Sequence, residues 1–246
     1  MKINTKHTLL WAFLFAAAMG FLEAAVVVYL RELYYPTGFS FPLVPLAGDI
    51  ALVEFLREAA TMVMLLGLGI LAGRTATEKF AYFMFGFGVW DIFYYVFLKL
   101  LIHWPESLLT WDILFLIPVI WTGPVLSPVI VASTMILLAL LVTRFTGKRR
   151  STRIGRREWA LLTAGAGGVF LAFIWDYSAY ILKYYSAAKL WTVPSRDLFD
   201  LSIRYIPVSF NWILFGLGEL VILAGIGLFY LRNKRARTIE EDQDKI

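Results

Sequence analysis

Apolar residues gather into six long runs along the chain, at 8–30, 50–72, 80–102, 125–143, 159–182 and 208–231. Each approaches or exceeds the roughly 20 residues that a helix needs to cross a bilayer. A seventh apolar stretch, at 107–121, is shorter, contains Asp112, and runs into Pro118, Gly123, Pro124 and Pro128. Proline removes a backbone donor and interrupts helices, and so short a run suits a re-entrant or interfacial segment better than a span. The pattern predicts an all-α, polytopic membrane protein with six transmembrane helices. One re-entrant or surface-lying helix is expected at about 107–121. Residues 1–232 then form a single transmembrane domain, and 233–246 a disordered, charged cytoplasmic tail.

The basic residues set the parity of the spans. Arg144, Lys148, Arg149, Arg150, Arg153, Arg156 and Arg157 fall in one loop without an acid. Lys2 and Lys6 precede the first run, Arg74 and Lys79 sit between the second and third, and Arg232, Lys234, Arg235 and Arg237 follow the last. Lysine and arginine accumulate in cytoplasmic loops. All four regions share one side only if the chain crosses six times and 107–121 does not cross. The expectation is a multi-pass protein of the cell (plasma) membrane with both termini cytoplasmic. The first run is too long for a signal-peptide core and carries Glu23, so it is expected to be a retained helix.

Composition narrows the chemistry. Hydrophobic residues make up 60% of the chain and charged residues 17%, against roughly 45–50% and 25% in soluble domains. Soluble and disordered classes are thereby excluded. There is no cysteine, and His7 and His103 are the only histidines, which excludes thiolate chemistry and a three-histidine zinc site. The net charge of +5 is explained by the basic loops and their attraction to the bilayer. It gives no reason to expect a nucleic-acid partner. No Walker, Gly-x-Ser-x-Gly or His-Glu-x-x-His motif is present, nor any internal repeat.

Ionisable residues inside spans are costly and are functional candidates by default. Glu23 lies past the middle of the first span. In the second, Glu54, Arg57, Glu58 and Thr61 fall at i, i+3, i+4 and i+7, one stripe of a helix. Two carboxylates so placed repel each other unless a cation or a shared proton intervenes. Asp91, Tyr95 and Lys99 form a stripe in the third span, with Trp90 and Tyr94 beside it. Asp176, Tyr180 and Lys183 repeat that order in the fifth, and Glu219 lies in the sixth. Converted to depth, nearly all sit in the outer half of the bilayer. The structural alternative for Glu54, Arg57 and Glu58 is an ion-pair network that holds helices together.

These residues outline an outward-facing, carboxylate-rich intramembrane site. Glu54, Glu58, Asp91 and Asp176 are the candidate catalytic groups. Glu23, Arg57, Tyr95, Lys99, Asp112, Tyr180 and Glu219 are the candidate substrate-binding groups. Carboxylate oxygens suit hard cations, and a divalent cation, if bound, is expected on Glu54 and Glu58. The expected function is a membrane-embedded enzyme or binding protein for a lipid-linked or amphiphilic substrate, with Arg57, Lys99 and Lys183 offered to an anionic headgroup. The alternatives are a proton- or cation-coupled transporter or channel, and a structural subunit of a larger membrane complex. Arg31, Arg204 and Lys189 are expected to anchor to lipid headgroups, and Gly165, Gly167 and Gly168 to form a helix-packing surface.

Overall fold

A computed structural model of the chain describes residues 5–116, 119–147, 152–186, 188 and 195–243. Lys2, Pro118, Lys148, Arg149, Arg150, Lys189 and Asp244 lie outside the described residues. The described chain is built from α1 (Thr5–Tyr34), α2 (Gly48–Ala72), α3 (Ala76–Ile102), β1 (Trp111–Phe115), β2 (Trp121–Pro124), α4 (Leu126–Thr146), α5 (Arg156–Ile181), α6 (Ser195–Ser202) and α7 (Trp212–Gln243). Six of the helices, α1 to α5 and α7, are long and apolar enough to cross a membrane. The protein is therefore an integral membrane protein of helical architecture. Its outward surface carries large apolar side chains such as Leu71, Val208 and Ile213, which is what lipid-facing helices require.

The expected helix at 107–121 is corrected by the structure, because a β-hairpin stands there. β1 and β2 pair antiparallel, with Trp111 opposite Pro124, Asp112 opposite Gly123 and Ile113 opposite Thr122, and an irregularity between Ile113 and Phe115. Beyond Trp111, Val125 N–H donates to Thr110 O (3.0 Å) and Leu126 N–H to Leu108 O (2.7 Å). The physical reason lies in the composition. Prolines deny the segment a continuous helix, whereas two short strands rich in aromatic and β-branched residues satisfy each other's backbone away from water. The hairpin holds both ends of its connection at one end of the bundle, so the chain still crosses six times.

The opposite end collects the basic turns. Thr75 caps α3 by accepting Glu78 N–H (3.2 Å), and Arg74 pairs with the Glu78 carboxylate (3.0 Å). Arg232 of α7 pairs with buried Glu158 of α5 (2.6 Å) and donates to Arg153 O (2.6 Å). The second, third and last basic regions thus lie at one end, where Phe80 packs on Trp159, as the parity requires. α7 runs on past Leu231 as far as Gln243. Extension from an existing helix avoids the nucleation cost, and its Lys, Arg, Glu and Gln residues are good helix formers.

Two groups of helices make up the bundle. α3 packs on α1, α2 and α4, while α5 packs on α7. The groups meet through α4 against α7 and β2 against α5. The α5–α7 contact is close because Gly165 and Gly168 face Gly218: a Cβ on Gly218 would lie 2.8 Å from Val169 N and 2.9 Å from Gly165 O. Gly167 has open space where a Cβ would project, so it takes no part in the packing expected of it, and Gly216 is open in the same way. Gly218→Val should force the helices apart at a cost of about 1–3 kcal/mol, seen as a melting temperature lowered by several degrees. Gly216→Ala should leave the melting temperature unchanged or slightly raised.

Candidate functional site

Two adjoining cavities lie at and below the hairpin. The smaller, about 190 Å³, is enclosed by α1, α2, α3, β1 and the connection after α1. The larger, about 420 Å³, lies between the two helix groups, with walls from α3, α4, α5 and α7 and the hairpin as its roof. Trp90, Asp91 and Leu114 line both, so a single layer of side chains separates them.

The smaller cavity is the polar one. Arg57 lies between two carboxylates: it forms an ion pair with Glu23 across α1 and a two-pronged contact with Glu54 on its own helix, Nε to Oε2 at 2.9 Å and the second nitrogen to Oε1 at 2.6 Å. Thr61 donates to Arg57 O (3.1 Å). Glu58 is buried, and its Oε2 accepts the N–H of Leu116 beyond β1 (3.2 Å). The pleat of β1 turns Asp112 inward, where it is 3% exposed. There it accepts the Tyr95 hydroxyl (3.2 Å) and sits 3.6 Å from Arg31. Burial raises the Asp112 carboxyl to about 6, an effect that Arg31 and Tyr95 only partly offset.

Arg31 corrects an expectation. It is 9% exposed rather than in the headgroup layer, with its guanidinium 3.7 Å from the Trp104 ring centre and 4.6 Å from that of Phe39. Stacking on aromatic faces is something guanidinium groups do well. Arg204 is exposed. Lys99 donates to the carbonyls of His103 (3.2 Å) and Pro105 (2.8 Å), closing the end of α3, where His103 adopts a left-handed conformation (φ 56°).

The larger cavity is apolar along most of its length. Phe80 and Trp90 lie ten residues apart on α3, about 15 Å along the axis, and both line it. Polar groups punctuate it. Glu219 Oε2 accepts the Thr134 hydroxyl (2.9 Å). Among the described residues three buried side-chain polar atoms have no hydrogen-bond partner: Trp90 Nε1, Trp121 Nε1 and Glu219 Oε1. All three belong to residues lining this cavity. Asp91 has no hydrogen bond or ion pair among the described residues. Trp159, Thr163 and Ala166, which also line the cavity, are exposed on α5 and mark a sideways opening.

Of the residues picked out from the sequence, the structure gathers Glu23, Glu54, Arg57, Glu58, Asp91, Tyr95 and Asp112 around the smaller cavity. Asp91 and Glu219 line the larger. Asp176 stands apart from both. Its carboxylate accepts the Tyr205 hydroxyl (2.8 Å) and the N–H groups of Val208 (3.0 Å) and Ser209 (3.1 Å), pinning the chain that leads into α7. Tyr205 accepts in turn from Thr122 of the hairpin (3.0 Å), and burial pushes its phenol well above the usual range. Tyr180 packs at a tilt against Tyr205 there. Among the described residues no three histidine or acidic side chains come close enough to share a metal ion, and the guanidinium of Arg57 lies where a cation between Glu54 and Glu23 would go. The indoles of Trp90 and Trp121 and the hydroxyl of Thr134 were not foreseen as site groups. Trp90 carried a faint signal through its place beside the Asp91 stripe.

No protein-family model, curated protein or solved structure matches the chain. The functional reading therefore rests on the site itself.

Proposed function

We propose that this integral membrane protein binds a long-chain amphiphile, admitted sideways from the bilayer, with its chain in the larger cavity and its polar end beside Asp91. The observation that carries this reading is an apolar cavity of about 420 Å³, open sideways at Trp159, Thr163 and Ala166 and lined at one end by Asp91, which has no hydrogen bond or ion pair among the described residues. A buried polar group without a partner costs about 1–3 kcal/mol, and an amphiphile whose polar end lies beside Asp91 supplies one. The volume falls within the usual range for ligand sites. In the orientation set by the basic turns, both termini face the cytoplasm of a plasma-membrane protein, and the polar end of the site lies toward the outer leaflet.

A catalytic role within this reading falls first to Asp91. Glu23 and Glu54 are committed to Arg57 and Asp176 to the chain around Ser209, whereas Asp91 has no partner among the described residues to give up before moving a proton. A transporter would need a comparable polar path through the basic end, and neither cavity supplies one.

Wild-type protein extracted into a maltoside detergent should carry an amphiphile visible by native mass spectrometry. Ala166→Trp, at the sideways opening, should abolish that adduct and leave the melting temperature within a few degrees. Wild-type protein without any adduct, in detergent and in its own membrane lipid, would count against the reading.

A further inference from the structure

The uncompensated charge around the two cavities is negative. Five carboxyl groups and two guanidinium groups line the smaller cavity. Both guanidiniums are engaged, Arg57 by Glu23 and Glu54 and Arg31 by Asp112. Lys99, offered by the sequence to an anionic headgroup, is occupied by two backbone carbonyls. That leaves Glu58, held by one backbone N–H, and Asp91, which faces both cavities without a partner among the described residues. In the larger cavity Glu219, only 6% exposed, has a free Oε1, and Trp90, 7% exposed, has a free indole N–H.

We propose that the polar end of the amphiphile is an ammonium group and that Asp91 is its counter-ion, with Glu58 and Glu219 adding to the negative field. This rests on the amphiphile-binding reading above and specifies its substrate class. A carboxylate among apolar walls is stable as an ion only when a cation is brought to it. Trp90, Tyr94 and Tyr95 line the smaller cavity, and aromatic faces attract ammonium groups through their ring quadrupole. An inorganic cation would find too few grouped ligands and would leave the apolar part of the larger cavity empty.

The test uses three probes with the same bromododecyl chain and different heads: trimethylammonium, phosphate and maltoside. Each is titrated into the full-length protein in phosphatidylcholine nanodiscs, and bromine quenching of tryptophan fluorescence is read. The ammonium probe should bind at least about tenfold more tightly than the other two, a difference of about 1.4 kcal/mol. Asp91→Asn should erase that preference while retaining maltoside binding, and Glu219→Gln should reduce it. Because Asp91 has no partner among the described residues, Asp91→Asn should melt no lower than wild type without ligand, so a loss of preference cannot be assigned to unfolding. Equal or tighter binding of the phosphate probe, or an unchanged preference in Asp91→Asn, would overturn the ammonium assignment and leave the amphiphile reading standing. Failure of all three probes to bind would overturn both.

Discussion

Arg57→Met is expected to lower stability by about 3–5 kcal/mol, the largest single-residue effect in the protein. The guanidinium lies between Glu23 of α1 and Glu54 of α2 and is the main electrostatic tie between those helices, which otherwise touch little. Removing one member of a buried ionic group leaves the remaining charges without compensation, and that penalty exceeds what the intact group contributes. The triple replacement Glu23→Gln, Arg57→Met, Glu54→Gln should therefore recover most of the loss, because no charge is left stranded. Thermal unfolding in detergent of the single and triple variants checks this. A triple variant as unstable as Arg57→Met would show that the guanidinium acts through packing or through Glu58, not through its two carboxylates.

The second large effect depends on pH. Asp112 titrates at about 6 in the folded protein, against an ordinary value of 3.8. The folded state thus holds this proton where the unfolded chain has lost it. Stability from this group is greatest below about pH 4, falls as pH rises, and levels off above about pH 6, a total change of about 3 kcal/mol. Arg31 opposes that loss by pairing with the ionised carboxylate. Arg31→Met should accordingly be mild near pH 4, where only the stacking on Trp104 and Phe39 is lost, at about 0.5–2 kcal/mol. Near pH 7 it should be worse by about 3 kcal/mol, because a buried carboxylate is left unpaired. Asp112→Asn should flatten the wild-type slope between pH 4 and 6. Parallel melting curves for the three proteins, differing in slope as described, are the measurement; an Arg31→Met penalty independent of pH would refute the pairing.

The spans were legible because bilayer thickness fixes helix length and hydrophobicity marks it, and the basic turns supplied parity. The helical stripe in α2 was legible too, since Glu54, Arg57 and Glu58 share a face on any regular helix. The hairpin was not. Apolar runs bounded by prolines read alike as short helix or as paired strands until a partner strand is known, and Trp111–Phe115 finds its partner only across the turn. Asp176 shows a second limit. Its stripe with Tyr180 imitates that of Asp91 with Tyr95, yet it is satisfied by Tyr205, Val208 and Ser209, residues about thirty positions away that periodicity cannot reach. Arg31 was misplaced for the same reason: an arginine at a span end is ordinarily an interfacial anchor, and only the fold brings Trp104 and Asp112 over it. The larger cavity arises where α3 and α5 stand apart beyond their contact at Phe80 and Trp159, and a gap between helices leaves no mark in the spacing of either.

A cryo-electron microscopy map of the wild-type protein in nanodiscs made from its native membrane lipid would test the amphiphile site most directly. The result expected is elongated density running from Asp91, between the Trp90 and Trp121 indoles, toward Phe80 and Trp159. A map at side-chain resolution in which α3 and α5 close on each other, or in which the space between them holds no ordered density, would contradict it.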